Sequence, residues 1–300
     1  MFLSFHLLLV CLSVYVAANR VYPPSKVIKL TLAVSKATYL PIPTRRFIRN
    51  GYIIENLSTS KSRKLWGFIP LLPKYNPAQD KIACAVGGWI AKSYENKETE
   101  VLMFKNVEQK LVVFGFRGTE PTSLKDWSKD FEIFPSKSTI GQTTFTTHKG
   151  FRDRYGFIAD WFEREYLNVP RDYSIVITGH SLGAAEATIA AVYAAGKLER
   201  RPDAVITYGS PISGAQDFKN YYNQVVGCDR TIRMAAKGDL VTIVPAIFGY
   251  LHVCDAAKVE PSAGSLITAH NLYAGGYEYG IKSKFGTIED INFGCDKLLS

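Results

Sequence analysis

From Ser174 onward, short apolar runs alternate with longer amphipathic ones. "SIVIT" (174–178), "AVITY" (204–208) and "RTIRMAA" (230–236) are β-branched and apolar, and their length predicts strands. "LGAAEATIAAVYAAGKLER" (182–200) and "AQDFKNYYNQV" (215–225) are long enough for helices between them. Strand, helix, strand, helix, strand with short connections predicts parallel strands with crossover helices. Upstream, "TEVLMFKN" (99–106) and "KLVVFGF" (110–116) read as two strands joined by a short turn. In "FRDRYGFIADWFEREYL" (151–167), Phe151, Tyr155, Ile158 and Phe162 fall on one helical face. "DKIACAVGGWIAKSY" (80–94) reads as helical or mixed. Residues 19–75 are irregular and interrupted by Pro23, Pro24, Pro41, Pro43, Pro70 and Pro73, with one short helical stretch around Val27 to Tyr39.

Composition makes this a globular chain: 300 residues, 47% hydrophobic and 21% charged, enough for one large α/β domain or two small ones. The first 18 residues carry no Lys, Arg, Asp or Glu and are mostly apolar. Val16 and Ala18 suit a cleavage site before Asn19, so residues 1–18 read as a secretory signal peptide. The competing reading, a membrane anchor, needs a longer uninterrupted run than one broken by Ser4, His6 and Ser13. The expected organisation is a signal peptide (1–18), a basic segment (19–75) and a catalytic domain (76–300).

Secretion changes how the cysteines read. Cys84, Cys228, Cys254 and Cys295 remain beyond the leader, and two disulfides are expected, with three pairings open. Cys228 and Cys254 flank the third strand and the run after Asp239, so the pairing favoured is 228 with 254 and 84 with 295. No cysteine or histidine spacing suits a metal, and no cofactor is expected. Asn56-Leu57-Ser58 is a glycosylation sequon. The formal charge of +9 belongs to the N-terminal segment: residues 20–75 hold 11 Lys/Arg against one acid, Glu55. In a secreted chain that points away from nucleic acid and toward an anionic lipid or glycan surface. The alternative is a solvated basic segment with no partner.

The candidate chemistry lies in "ITGHSLGAAEAT". Ser181 sits in G-x-S-x-G, at the C-terminal end of a predicted strand and the start of a predicted helix. Open α/β sheets carry their sites at that edge. A serine hydroxyl needs a base, and the base an orienting acid. In the chain order serine, acid, histidine, His148 comes too early and His180 adjoins the serine, leaving His252 and His270. Asp239 directly follows the third strand, on the serine's edge; Asp203 precedes a strand, Asp217 lies on a helix and Asp229 leads into a strand. An oxyanion donor is expected at the Leu182 N–H, and a second in the loop after "KLVVFGFRGTE".

These stretches, with "VFGFRGTEPTSLKDWSKDF", "THKGFRDRYGFI", "ITYGSPISG", "GDLVTIVPAIFGYLHV" and "AHNLYAGG", resemble the class 3 lipases, the group containing the secreted fungal triacylglycerol lipases. The resemblance runs over residues 95–280. It implies an α/β-hydrolase fold, with a mostly parallel central sheet, helices on both faces and a short helical lid. It implies nucleophile Ser181, acid Asp239 and base His270, with Thr119 and Leu182 forming the oxyanion hole. Leu124, Trp127 and Phe131 share one face of a short predicted helix where the family carries its lid. The implied activity is hydrolysis of triacylglycerol or related glycerolipids at an oil–water or membrane interface, by a monomer. The alternatives are a phospholipase or feruloyl-type esterase of the same fold, or a lipase-like binding protein without catalysis.

Overall fold

The computed structural model describes residues 24–40, 47–49, 52–54, 80–85, 89–97, 99–118, 134–245, 249–262, 266–273 and 275–288. In chain order the elements are α1 (Pro24–Ala37), β1 (Phe47–Arg49), β2 (Tyr52–Ile54), β3 (Asp80–Ala85), β4 (Trp89–Asn96), β5 (Thr99–Asn106) and β6 (Leu111–Phe116). Then come β7 (Pro135–Ile140), β8 (Thr143–His148), α2 (Lys149–Leu167), β9 (Ser174–His180), α3 (Leu182–Gly196), β10 (Ala204–Tyr208) and β11 (Gly214–Ala215). The chain continues with α4 (Gln216–Val225), β12 (Thr231–Ala236), β13 (Tyr250–Leu251), β14 (Ala256–Val259), α5 (Leu266–His270) and α6 (Tyr277–Phe285).

The central sheet has eight strands in the order β14-β12-β10-β9-β6-β5-β4-β3. Every pairing from β14 to β6 is parallel, and those from β6 to β3 are antiparallel. The parallel strands are apolar almost throughout because both faces are covered. Side chains alternate across the sheet accordingly. Val112, Phe114, Phe116, Ile175 and Ile177 meet α2, α3 and α4 on one face. Leu111, Val113, Val176, Ile206 and Tyr208 meet α1 and α6 on the other. The parallel strands are those the alternation predicts, and the architecture is the α/β-hydrolase fold that the resemblance implies.

Helix α1 belongs to the core, so the segment set apart by its charge helps to build the domain. Val27, Ile28, Leu32, Val34 and Ala37 are buried, and every residue from Thr31 to Thr38 is buried with them. Full burial of an aliphatic side chain stabilises by roughly 1.5–3 kcal/mol. The charge obscured these apolar residues. Lys36 is itself buried, and its Nζ lies 3.1 Å from Glu278 Oε2 on α6.

Three other features differ from the sequence reading. Residues 80–94, expected as helical or mixed, supply antiparallel strands in register Ala83↔Ala91. Alanine at alternate positions weakened the strand signal there. A second, four-stranded sheet, β13-β11-β8-β7, was not anticipated; its strands are short, and β8 is rich in threonine. His270 closes the short helix α5, an element the sequence reading did not include. Among the described residues, no helix is long and apolar enough to cross a membrane.

Candidate active site

Strand β9 ends at His180 and helix α3 begins at Leu182, so Ser181 is the whole of the turn between them. Its backbone lies at φ 57°, ψ −128°, a region a non-glycine residue occupies only under constraint. The constraint is the packing of helix against strand. A Cβ at Gly179 would stand 2.2 Å from the Gly183 carbonyl oxygen, and one at Gly183 would stand 2.2 Å from that of Phe116. The Ser181 N–H donates to the Tyr208 carbonyl at 2.9 Å, fixing the turn to β10.

Asp239 follows β12 and caps a single 3-10 turn, its Oδ1 accepting the Val241 N–H at 3.0 Å. His270 arrives from α5. The structure brings the three together: His270 Nε2 is 2.8 Å from Ser181 Oγ, and Nδ1 is 2.9 Å from each Asp239 oxygen. All three are buried, Ser181 completely. Burial alone would push the Asp239 carboxyl up, but the hydrogen bond and charge of His270, with the Tyr277 hydroxyl, hold it below the ordinary carboxylate range. An ionised Asp239 only accepts, so His270 Nδ1 carries the proton and Nε2 faces the serine hydroxyl as a base.

Around the triad stands a layer that sequence reasoning missed. Tyr277 donates its hydroxyl to Asp239 Oδ2 at 2.6 Å. His180, discounted as the serine's neighbour, holds the His270 carbonyl through Nε2 at 2.9 Å and meets the Tyr39 hydroxyl at Nδ1, also 2.9 Å. A carbonyl can only accept, so Nε2 is the protonated nitrogen and Tyr39 donates to Nδ1. This fits a neutral ring: burial, then the neighbouring His270, bring His180 down to about 3. No periodicity or spacing marks Tyr39 or Tyr277; they reach the site from either end of the chain.

The other predicted residues fall as follows. Leu182 opens α3 beside the serine. Thr119 lies outside the described residues, but Gly118 before it abuts the elbow; a Cβ there would stand 3.2 Å from Ser181 Cβ. Leu124, Trp127 and Phe131, the signal peptide and the Asn56 sequon also lie outside the described residues. Cys228 and Cys254 form a disulfide with Cα atoms 5.6 Å apart. The Cys84–Cys295 pairing cannot be followed, since Cys295 lies outside the described residues. His252 accepts no serine; its Nε2 donates to the Thr242 carbonyl at 2.6 Å. His148 stacks on Phe151, ring centroids 4.0 Å apart.

Comparison with known families agrees with this geometry. Residues 113–249 match the family model described as Lipase (class 3). Over those residues the chain is similar to the class 3 lipases. The matched stretch holds Ser181 and Asp239, and His270 lies beyond it. The chain is similar to a secreted mono- and diacylglycerol lipase of Fusarium solani, 30% identical over 156 residues, covering 48% of this chain and 42% of the relative. It is also similar to a lipase of Rhizomucor miehei, 29% identical over 168 residues, covering 52% of this chain and 43% of the relative. The chain thus matches less than half the length of either relative. A solved structure of a Rhizomucor miehei lipase propeptide complex superposes with TM-score 0.50 at 22% identity, over 72% of this chain and 69% of that one, and shows the shared fold.

Proposed function

We propose that this class 3 lipase relative is a serine hydrolase of lipid esters, acting in or beyond the secretory pathway. The observation that carries the reading is the unbroken chain from Ser181 through His270 to Asp239, with the serine on a strained elbow. Ser181 Oγ attacks the ester carbonyl carbon as His270 Nε2 takes its proton. The Leu182 N–H, with Thr119 next to Gly118 in the sequence, would hold the developing oxyanion. His270 then protonates the departing alkoxide, leaving an acyl-serine. Water repeats the sequence: its proton goes to His270, its oxygen to the acyl carbon, and Ser181 recovers its hydrogen. Asp239 stays ionised and stabilises the imidazolium in both halves.

The complete burial of Ser181 favours a substrate that arrives after a covering segment moves. Leu124, Trp127 and Phe131 are our candidates for that segment's apolar face. The names of the relatives favour glycerol esters. The Cys228–Cys254 disulfide suits an oxidising compartment. Exposed Lys26 on α1 and the cations of residues 41–75 would add contact with an anionic lipid surface. The test is a panel of emulsified triacylglycerol, diacylglycerol, phospholipid and a soluble short-chain ester, with fluorophosphonate labelling mapped by peptide. Label on Ser181 with preference for emulsified glycerides supports the reading. Absence of both labelling and hydrolysis would leave a binding protein on a hydrolase fold.

A further inference from the structure

Tyr277 is placed to do more than fill space. It opens α6 and is fully buried. Its ring meets those of His180 and Tyr208 edge-on, each centroid 6.1 Å away. Its oxygen lies 2.6 Å from Asp239 Oδ2 and 3.0 Å from the backbone nitrogen of Ala236, the last residue of β12. The directions of these two bonds are forced. The Ala236 N–H can only donate and the carboxylate can only accept, so the phenol accepts from the strand and donates to the acid. The hydroxyl thereby ties Asp239 to the end of the strand that presents it.

Count what each carboxylate oxygen receives. Oδ1 accepts from Val241 N–H, Oδ2 accepts from Tyr277, and both face His270 Nδ1 at the same 2.9 Å. Without Tyr277, Oδ2 would lose its only donor besides His270 among the described residues. The carboxylate plane would then be set from one side alone, and the imidazole with it.

We propose that Tyr277 is a positioning residue of the triad: its hydroxyl fixes the Asp239 carboxylate and draws off part of its charge, setting how strongly Asp239 holds the proton on His270. The inference rests on the hydrolase reading above. The phenol keeps its proton throughout, since burial and then the Asp239 charge push its ionisation well above the ordinary range. Donation to an anion is among the stronger protein hydrogen bonds, and its loss converts to roughly a tenfold change in rate.

Tyr277→Phe removes one oxygen and keeps the ring. With a soluble ester, kcat should fall about tenfold with KM nearly unchanged. The acidic limb of the kcat/KM profile, which reports the triad as a unit, should move to higher pH, because a carboxylate relieved of a donor holds the imidazolium proton more tightly. Tyr208→Phe is the control. Tyr208 is equally buried and donates to the Ile28 carbonyl, away from the acid. It should lower thermal stability comparably and leave the limb in place. A third readout needs no turnover: the low-field proton resonance of the His270–Asp239 bond should shift in Tyr277→Phe and not in Tyr208→Phe. An unmoved resonance and limb, with any rate loss following thermal stability as in the control, would overturn the proposal. A wild-type protein that labels with no fluorophosphonate and cleaves no ester would instead overturn the hydrolase reading, while the resonance comparison still decides the place of Tyr277.

Discussion

Acid should unfold this protein early, and the reason lies in three histidines outside the proton-transfer pair. Burial brings His148 and His252 down to about 4 and His180 to about 3, against an ordinary value of 6.5. Below pH 6.5 the unfolded chain binds protons that the native state refuses, so stability falls as pH falls. Glu186 works in the opposite sense. Burial, opposed by Arg154 at 2.7 Å, lifts it to about 7, so the native state takes up its proton first. Near pH 5.5 the balance is about two protons in favour of the unfolded chain, or on the order of 2 to 3 kcal/mol per pH unit. Between pH 6.5 and 5 the loss comes to roughly 3 kcal/mol, a large share of the stability of an ordinary domain. The assay is urea unfolding followed by tryptophan fluorescence, Trp161 being buried, at a series of pH values and constant ionic strength. The variant that assigns the protons is His252→Gln, which can still donate to the Thr242 carbonyl but cannot charge. Its slope should be shallower by about 1 kcal/mol per pH unit. A wild-type stability constant to within about 1 kcal/mol across this window would refute the reasoning.

Ser181→Ala and His270→Ala should each cut kcat by roughly four orders of magnitude or more with unfolding midpoints near wild type, whereas His252→Gln should stay within a few-fold at neutral pH; steady-state kinetics on a soluble ester decides. Cys228→Ser with Cys254→Ser opens a loop of sequence separation 26 and should cost about 3 kcal/mol, measured by denaturant unfolding against a non-reduced control. Gly183→Ala places a Cβ 2.2 Å from the Phe116 carbonyl oxygen. The backbone there cannot yield as a side chain would, so we expect at least about 3 kcal/mol of destabilisation and loss of fluorophosphonate labelling; an active variant of normal stability would show that the elbow is looser than described.

The parts legible in the sequence are those with local signatures. Parallel strands covered on both faces must be apolar throughout, so β9, β10 and β12 announced themselves, and the glycines at 179 and 183 marked the elbow between them. Asp239 was found by topology, since it directly follows a strand that runs alongside the serine's. The sequence alone left His252 beside His270, because a histidine hydrogen-bonded to a carbonyl and one facing a serine have no different local pattern. Helix α1 was read as a short helical stretch, but its place in the core was obscured because its charge stood out more than its apolar residues. Tyr39, His180 and Tyr277 were invisible for another reason: their roles are contacts between segments far apart in the chain.

That separation dictates an order of assembly. Lys36 and Glu278 are 242 positions apart, Thr31 and Tyr208 are 177 apart, and Tyr39 and His180 are 141 apart. A chain made from its N-terminus presents α1 long before the surface that receives it exists. Until then its apolar residues have no partner, a state prone to aggregation and slow to resolve. Ser181 follows, then Asp239, His270 and Tyr277. The elbow can therefore form while nothing yet exists to activate it. On the hydrolase reading the elbow stays chemically inert until Asp239 and His270 have been made and α6 has met α1 through Lys36 and Glu278.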